Sequence, residues 1–287
     1  MHDGSEIARL QNTPRYIRLL KAQRQLYSEA KRLNRVTAVV CLAIPVVLSL
    51  IQVINPEAIP GMFCFAIGML LFAFGLILPS RAKSKTKIAA SIQQRFDLEL
   101  YGVGTYCLAG MDEQIVSAAK RYDRVGRSQS DVESWYESVD PSFGSVQAIR
   151  CCLRENVNWS FRLCRSWLVS MSTLSLICFA ALIIVVVLFR LDLSALFFSV
   201  TIFERTVTPL VEGVKSLDAI RLLDCAMKRV DVSDERSIIS LQNDIFEARK
   251  TGFAVPDWFF RRKRARYSSI GDAIATVERS KAGQNGE

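Results

Sequence analysis

A run of 23 residues without a single charge, Trp167 to Phe189 (WLVSMSTLSLICFAALIIVVVLF), restricts this chain more than any other feature. At about 1.5 Å of rise per residue, such a helix spans the roughly 30 Å hydrocarbon core of a bilayer. Two earlier runs have the same character. Val36 to Ile54 is uncharged, with Pro45 inside it as a predicted kink that neighbouring helices tolerate. Ala58 to Leu78 follows after the short turn Asn55, Pro56, Glu57, and Pro79, Ser80 and Arg81 are expected to end it. A fourth run, Leu193 to Val211, is interrupted by Glu204 and Arg205.

Charge distribution decides whether that fourth run crosses. Of the 37 Lys and Arg residues, 8 precede Val36, 13 lie from Arg81 to Arg165 and 14 follow Val211, leaving only Arg190 and Arg205. Basic segments stay on the cytoplasmic side of a membrane. Four spans put all three basic segments there, whereas three spans would export the basic carboxyl-terminal region. The sequence therefore predicts an all-α membrane protein with four transmembrane helices in two hairpins and helical cytoplasmic segments. The expected divisions are a cytoplasmic amphipathic helix (1–35), a first hairpin (36–78), a cytoplasmic helical segment (79–166), a second hairpin (167–211) and a basic cytoplasmic region (212–287). Both termini are expected in the cytoplasm.

Composition removes several function classes. The only histidine is His2, expected at a frayed terminus, which argues against Ser–His and Cys–His catalysis. The 8 cysteines form no CxxC pair and no metal spacing, so reduced, mostly buried thiols are expected. No P-loop, zinc-protease motif, nucleophile elbow or kinase set occurs. An enzyme is not expected, and neither is a cofactor or a metal.

The segments outside the apolar runs read as helices. Pro14 to Arg35 places Tyr16, Leu19, Leu20, Gln23, Leu26, Tyr27, Ala30 and Leu33 at helical spacing, with Thr13 as the capping residue. Its basic face, including Arg15, Lys21, Arg24 and Lys31, suits either solvent beside a packed helix or anionic headgroups. Ile88, Ala89, Ile92, Phe96 and Leu100 continue a stripe out of the second run, and Val146 to Arg165 leads into the third. Further helices are predicted over Asp112 to Arg124 and Ser237 to Arg249, with breaks at Tyr101–Gly110, Asp131–Gly144 and Gly252–Trp258.

Three constellations carry candidate chemistry. Glu204 and Arg205 would lie near mid-bilayer as a gate or pore lining if the fourth helix starts near Asp192, or at the cytoplasmic edge if it is shifted. Ser170 and Thr173 share a face with Ser166, suited to close helix packing or to a pore wall. Arg261, Arg262, Lys263, Arg264 and Arg266, beside Trp258, Phe259 and Phe260, suit contact with anionic lipid, and binding of nucleic acid is not expected.

Several strings, taken in order against the four spans, resemble the SMODS-associated four-transmembrane effector family. They are NTPRYIRLLKAQRQLYSEAKRLNRV, IQQRFDLELYGV after the second run, Trp135–Tyr136, CCLRENVNWSFRLCR before the third run, and LQNDIFEARKTGFAVPDWFF. Leu153 departs from the pattern, where a glutamine is expected. The resemblance implies a pore-forming effector of nucleotide-signalled, CBASS-type anti-phage defence. Its partners would be the lipid bilayer, further copies of itself as a homo-oligomer, and a cyclic di- or oligonucleotide made by a neighbouring synthase. The matching strings make Arg154, Asn156, Arg162, Arg249, Asp257 and Trp258 the candidates for nucleotide sensing. A membrane-anchored sensor or scaffold without conduction is the alternative.

Overall fold

The computed structural model describes residues 1–44, 60–104, 110–189, 193–229, 234–250 and 255–259, with scattered single positions besides. Side chains from 178 to 209 are described only at Ala180, Ile184 and Val207. Every regular element among the described residues is helical. The elements are α1 (Gly4–Leu10), α2 (Pro14–Ala38, passing into a π-helical turn Val39–Ala43), α3 (Gly61–Tyr101), α4 (Asp112–Arg124), α5 (Ser145–Phe189), α6 (Leu193–Arg229) and α7 (Glu235–Lys250).

Three of these rods are much longer than a bilayer core. At about 1.5 Å per residue, α3 and α5 run for roughly 60–70 Å and α6 for about 55 Å. Each therefore has an apolar half and a half outside it. The divisions expected after residues 78, 166 and 211 fall inside α3, α5 and α6 respectively. Pro79 does not end the second run as expected: α3 continues through it to Tyr101. Proline forfeits one backbone bond, here to the Gly75 carbonyl, yet the flanking turns remain bonded, and packing resumes at once with Ala82 buried. Among the described residues, one helix segment, Ala66–Tyr101, is long and apolar enough to cross a membrane, and only 11% of its apolar window is buried in the protein. Met62, Phe63, Leu70, Phe72 and Leu76 on α3 point outward, as do Val169, Leu174, Leu176 and Ile177 on α5. Most of the turn expected at Asn55–Glu57 lies outside the described residues, with only Asn55 inside them.

The halves beyond the apolar runs share one core. Tyr16, Leu19, Leu20 and Leu26 of α2 join Ala89, Ile92, Phe96 and Leu100 of α3, Ile115 and Tyr122 of α4, and Ile149, Cys152 and Leu153 of α5. Full burial of a side chain such as Leu20 or Ile92 contributes about 1.5–3 kcal/mol. The departing Leu153 is entirely buried, where an apolar side chain needs no hydrogen-bond partner. The basic face of α2 meets acids rather than open solvent alone: Arg15 pairs with Glu99 at 2.7 Å and Lys21 with Asp123 at 2.8 Å.

Two terminal details differ from expectation. Thr13 starts α2, but its hydroxyl donates back to the Leu10 carbonyl at 2.8 Å instead of capping the helix. Proline at the first helical position leaves it one fewer free N–H to satisfy. His2 is not frayed: its N–H donates to the Tyr101 carbonyl and its Nδ1 to the Leu100 carbonyl, both at 3.0 Å. Those carbonyls are left open where α3 ends on Gly102, whose φ of +65° requires a residue without Cβ.

α5 and α6 approach closely at Gly213, where an added Cβ would collide with Leu168 Cδ2. Gly213→Ala is expected to cost about 1–3 kcal/mol through overpacking. Adding Leu168→Ala should relieve that clash, so the double variant should be more stable than the sum of the two single losses. Thermal unfolding in detergent reads this coupling.

Candidate nucleotide cavity

A buried polar knot organises the core beyond the apolar runs. Asp97 on α3 is fully buried and accepts three bonds: from Arg249 Nη1 at 2.6 Å, Gln242 Nε2 at 2.8 Å and the Tyr136 hydroxyl at 2.6 Å. The Tyr136 oxygen in turn accepts from Asn156 Nδ2 at 2.7 Å and lies 2.9 Å from the Tyr101 hydroxyl. Burial, with the Asp97 charge adding to it, pushes the Tyr101 and Tyr136 hydroxyls well above the usual phenol range. Burial works to lower the Arg249 pKa, but Asp97, Tyr136 and Tyr27 together oppose it and the value ends above the ordinary one.

The loop 125–144 is irregular yet held. The Tyr136 N–H donates to Gln11 Oε1 at 2.9 Å, and the Gln11 amide donates back to the Tyr136 carbonyl at 3.5 Å. Ser134 sits at φ +48°, a left-handed position that its N–H stabilises by bonding Asn12 Oδ1 at 2.8 Å. The junction between α1 and α2 thus fixes Trp135 and Tyr136.

Between this loop, α2 and the stems of α3, α5 and α6 lies a cavity of about 340 Å³. That volume lies in the range of small-molecule sites. Its walls carry the aromatic side chains Tyr27, Trp135, Tyr136 and Trp159, and the cations Arg24, Lys31 and Arg249. They also carry five carboxylates, Asp131, Glu133, Glu137, Glu155 and Asp257. Each cation has an acid beside it. Lys31 donates to Asp257 at 2.7 Å, Arg24 bonds the Asp131 carbonyl at 2.7 Å and lies 4.0 Å from its carboxylate, and Arg249 bonds Asp97. Burial raises the Glu155 carboxyl above the usual range, against three donors from Glu137 and Ser138.

Of the expected sensing residues, Asn156, Arg249 and Asp257 line this cavity. Arg154 is half-buried on α5, Arg162 is exposed on the same helix, and Trp258 is 56% exposed against Trp167; none of these three is among the lining residues. Arg24, Lys31 and Trp159 were not singled out as sensing residues from sequence. A signal existed for two of them, since Arg24, Tyr27, Ser28 and Lys31 stand at i, i+3, i+4 and i+7 on α2 and so share a face. Ser170 and Thr173 are exposed on α5, and each hydroxyl donates to the carbonyl four residues back, at 3.0 and 2.9 Å. Glu204 and Arg205 are helical within α6, but their side chains lie outside the described residues. Arg262 is exposed, while Arg261, Lys263, Arg264 and Arg266 lie outside the described residues. Among the described cysteines, Cys41, Cys151, Cys152 and Cys164 are buried and Cys225 is exposed.

Among the described residues every regular element is helical, and α3 and α5 run from a ligand-sized cavity into apolar halves whose described side chains face outward, which is the build of a membrane protein. The chain belongs to the family of the SMODS-associating 4TM effector domain, whose model matches residues 5–202. Membership makes it a membrane effector of a defence system, linked to a nucleotide-signalling synthase. Most of α6, all of α7 and the 255–259 turn lie beyond the matched residues. No match was found among curated proteins or among solved structures.

Replacing Asp97 by alanine would leave the Arg249 guanidinium buried without its counter-charge. A loss of about 3–5 kcal/mol is expected, read as a lowered unfolding midpoint in detergent. Asp257 gives a pH signature. Burial acts to raise its carboxyl, but Lys31 and Ser28 hold it below the usual carboxylate value. Its contribution is therefore complete above the ordinary carboxylate range and is lost as pH falls through the depressed folded value. Tryptophan fluorescence, through Trp258 and Trp167, should show an acid transition that disappears in Asp257→Asn.

Proposed function

We propose that this chain is an inner-membrane effector that senses a cyclic di- or oligonucleotide in its cytoplasmic cavity and assembles into oligomers that permeabilise the membrane. The observation that carries the reading is the cavity's position on the stems of the span-bearing helices. Its lining includes Gln93 of α3, Ser160 and Cys164 of α5, and Ser216 and Ile220 of α6, all on rods that continue into apolar halves. A bound ligand would thus touch three membrane-directed helices at once. The chemistry suits a nucleotide. Aromatic walls stack on bases at about 1–3 kcal/mol per base, and guanidinium and ammonium groups take phosphates. Four spans in two hairpins, with both termini in the cytoplasm, follow from the arrangement of the basic segments. Helices this thin enclose no wide passage within one copy, so conduction requires several copies.

A second reading, a membrane-anchored sensor or scaffold without conduction, draws on the single described helix that meets the length and apolarity of a span. One experiment separates the two. The full-length protein is reconstituted into dye-loaded vesicles and exposed to a panel of cyclic di- and trinucleotides. Rapid dye release with one member supports the pore, and binding without release supports the anchored sensor. Arg24→Ala should weaken binding of the active nucleotide by about 10-fold or more, the worth of one charge-assisted hydrogen bond. In a conducting assembly, Glu204→Gln should change single-channel conductance if the residue lines the passage, and an unaltered conductance would remove it from the wall.

A further inference from the structure

A single helical turn ties the cavity to the root of the third apolar run. The Asp257 carboxylate faces the cavity, accepting from Lys31 Nζ at 2.7 Å and from Ser28 Oγ at 3.1 Å on α2. The next two residues reach away from it. Trp258 and Phe259 pack edge-on against Trp167, with ring centroids 6.0 and 5.1 Å apart, and lie 5.7 Å from each other. Trp167 is the residue at which α5 enters its uncharged run. Val255 and Phe259 are buried at either end of the turn. The 255–259 segment is therefore a strap from α2 to the foot of α5.

The charges of the cavity say what would loosen it. Its lining holds three cations and five carboxylates, so a polyanionic ligand gains a cation only by taking it from an acid already beside it. Arg249 is a poor donor for such an exchange, because Asp97 is fully buried and would lose its counter-charge where water cannot replace it. Arg24 meets Asp131 of the 125–144 loop through the backbone carbonyl at 2.7 Å, with the carboxylate 4.0 Å away, contacts that lead to that loop rather than to the 255–259 turn. Lys31 differs. Asp257 has a 29% exposed side chain and stands on one short turn, so it can be rehydrated by a small movement. Lys31 is held largely out of solvent, where burial disfavours its charge and Asp257 opposes that effect.

We propose that a ligand phosphate replaces the Asp257 carboxylate on Lys31 and thereby unfastens the 255–259 strap from Trp167, so that the strap acts as a clasp released by the ligand. The proposal rests on reading the cavity as a nucleotide site. It gives the C-terminal turn a restraining role and assigns Lys31, Asp257, Trp258 and Trp167 to one switch. In the unliganded protein the clasp holds the foot of the third span against the cytoplasmic core. With phosphate on Lys31, the carboxylate goes to water and the aromatic side chains leave α5.

The test uses the full-length protein in dye-loaded vesicles, with the nucleotide panel above as probe. Asp257→Asn and Trp258→Ala should each leak without nucleotide, about tenfold or more faster than the unaltered protein. The charge-exchanged pair Lys31→Asp with Asp257→Lys should restore tightness, because the ion pair is rebuilt, and should lose the nucleotide response, because Asp at 31 repels phosphate. This double variant also separates a released clasp from a misfolded chain, which would not reseal. If Asp257→Asn and Trp258→Ala stay as tight as the unaltered protein while it responds to nucleotide, the clasp is overturned. If the exchanged pair leaks like Asp257→Asn, the ion pair is not the fastener and the proposal also falls. If no nucleotide binds the unaltered protein although Asp257→Asn leaks and the exchanged pair reseals, the nucleotide reading of the cavity fails and the fastening stands without that ligand.

Discussion

The buried ion pair between Asp97 and Arg249 is the contact on which the half beyond the apolar runs depends. A fully buried carboxylate survives only with its lone pairs occupied and a counter-charge in place, and Asp97 has Arg249, Gln242 and the Tyr136 hydroxyl on it. Those donors come from α7 and the 125–144 loop, while the acceptor belongs to α3 and Asn156 of α5 completes the ring through Tyr136. One carboxylate thus fixes the relative positions of two membrane-directed rods, the carboxyl-terminal helix and the loop that carries Trp135. Such a pair is weak evidence for added stability, since hydrophobic packing could fill the same volume. What the pair does show is a requirement: once buried, neither charge can lose the other without a large penalty.

The two halves of the molecule obey different solvents. Below the apolar runs, side chains follow the rules of a small water-soluble helical domain, with an apolar interior and a rim of ion pairs such as Arg15–Glu99 and Lys21–Asp123. Along the apolar runs the rule inverts, and Met62, Phe63, Leu70 and Leu176 face outward. Lipid explains that inversion, because it offers no penalty for exposed hydrocarbon.

Much of this organisation is written in local patterns. The helix over Asp112 to Arg124 has the boundaries its spacing and terminal charges predict, and the stripes leading out of the second run and into the third continue α3 and α5 as expected. Asn156, far from Arg249 and Asp257 in sequence, lines one cavity with them. Other features depend on contacts that no window of sequence contains. Lys31 and Asp257 are 226 positions apart, Gln11 and Tyr136 are 125 apart, and His2 meets the end of α3 across 98 residues. Pro79 misled for a related reason: its local preference is to stop a helix, and the packing that carries α3 through it begins with residues that pattern alone assigns to another segment.

The passage of α5 from core to apolar half, with no proline in it, has a mechanical consequence. A stiff rod carries a disturbance at its core end along its length as tilt or roll. For a helix of about 65 Å, a tilt of roughly 5° sweeps the far tip through about 6 Å, close to one helical pitch. Leverage of this kind turns sub-ångström chemistry at one face of the lipid into rearrangement at the other, without any loop having to open.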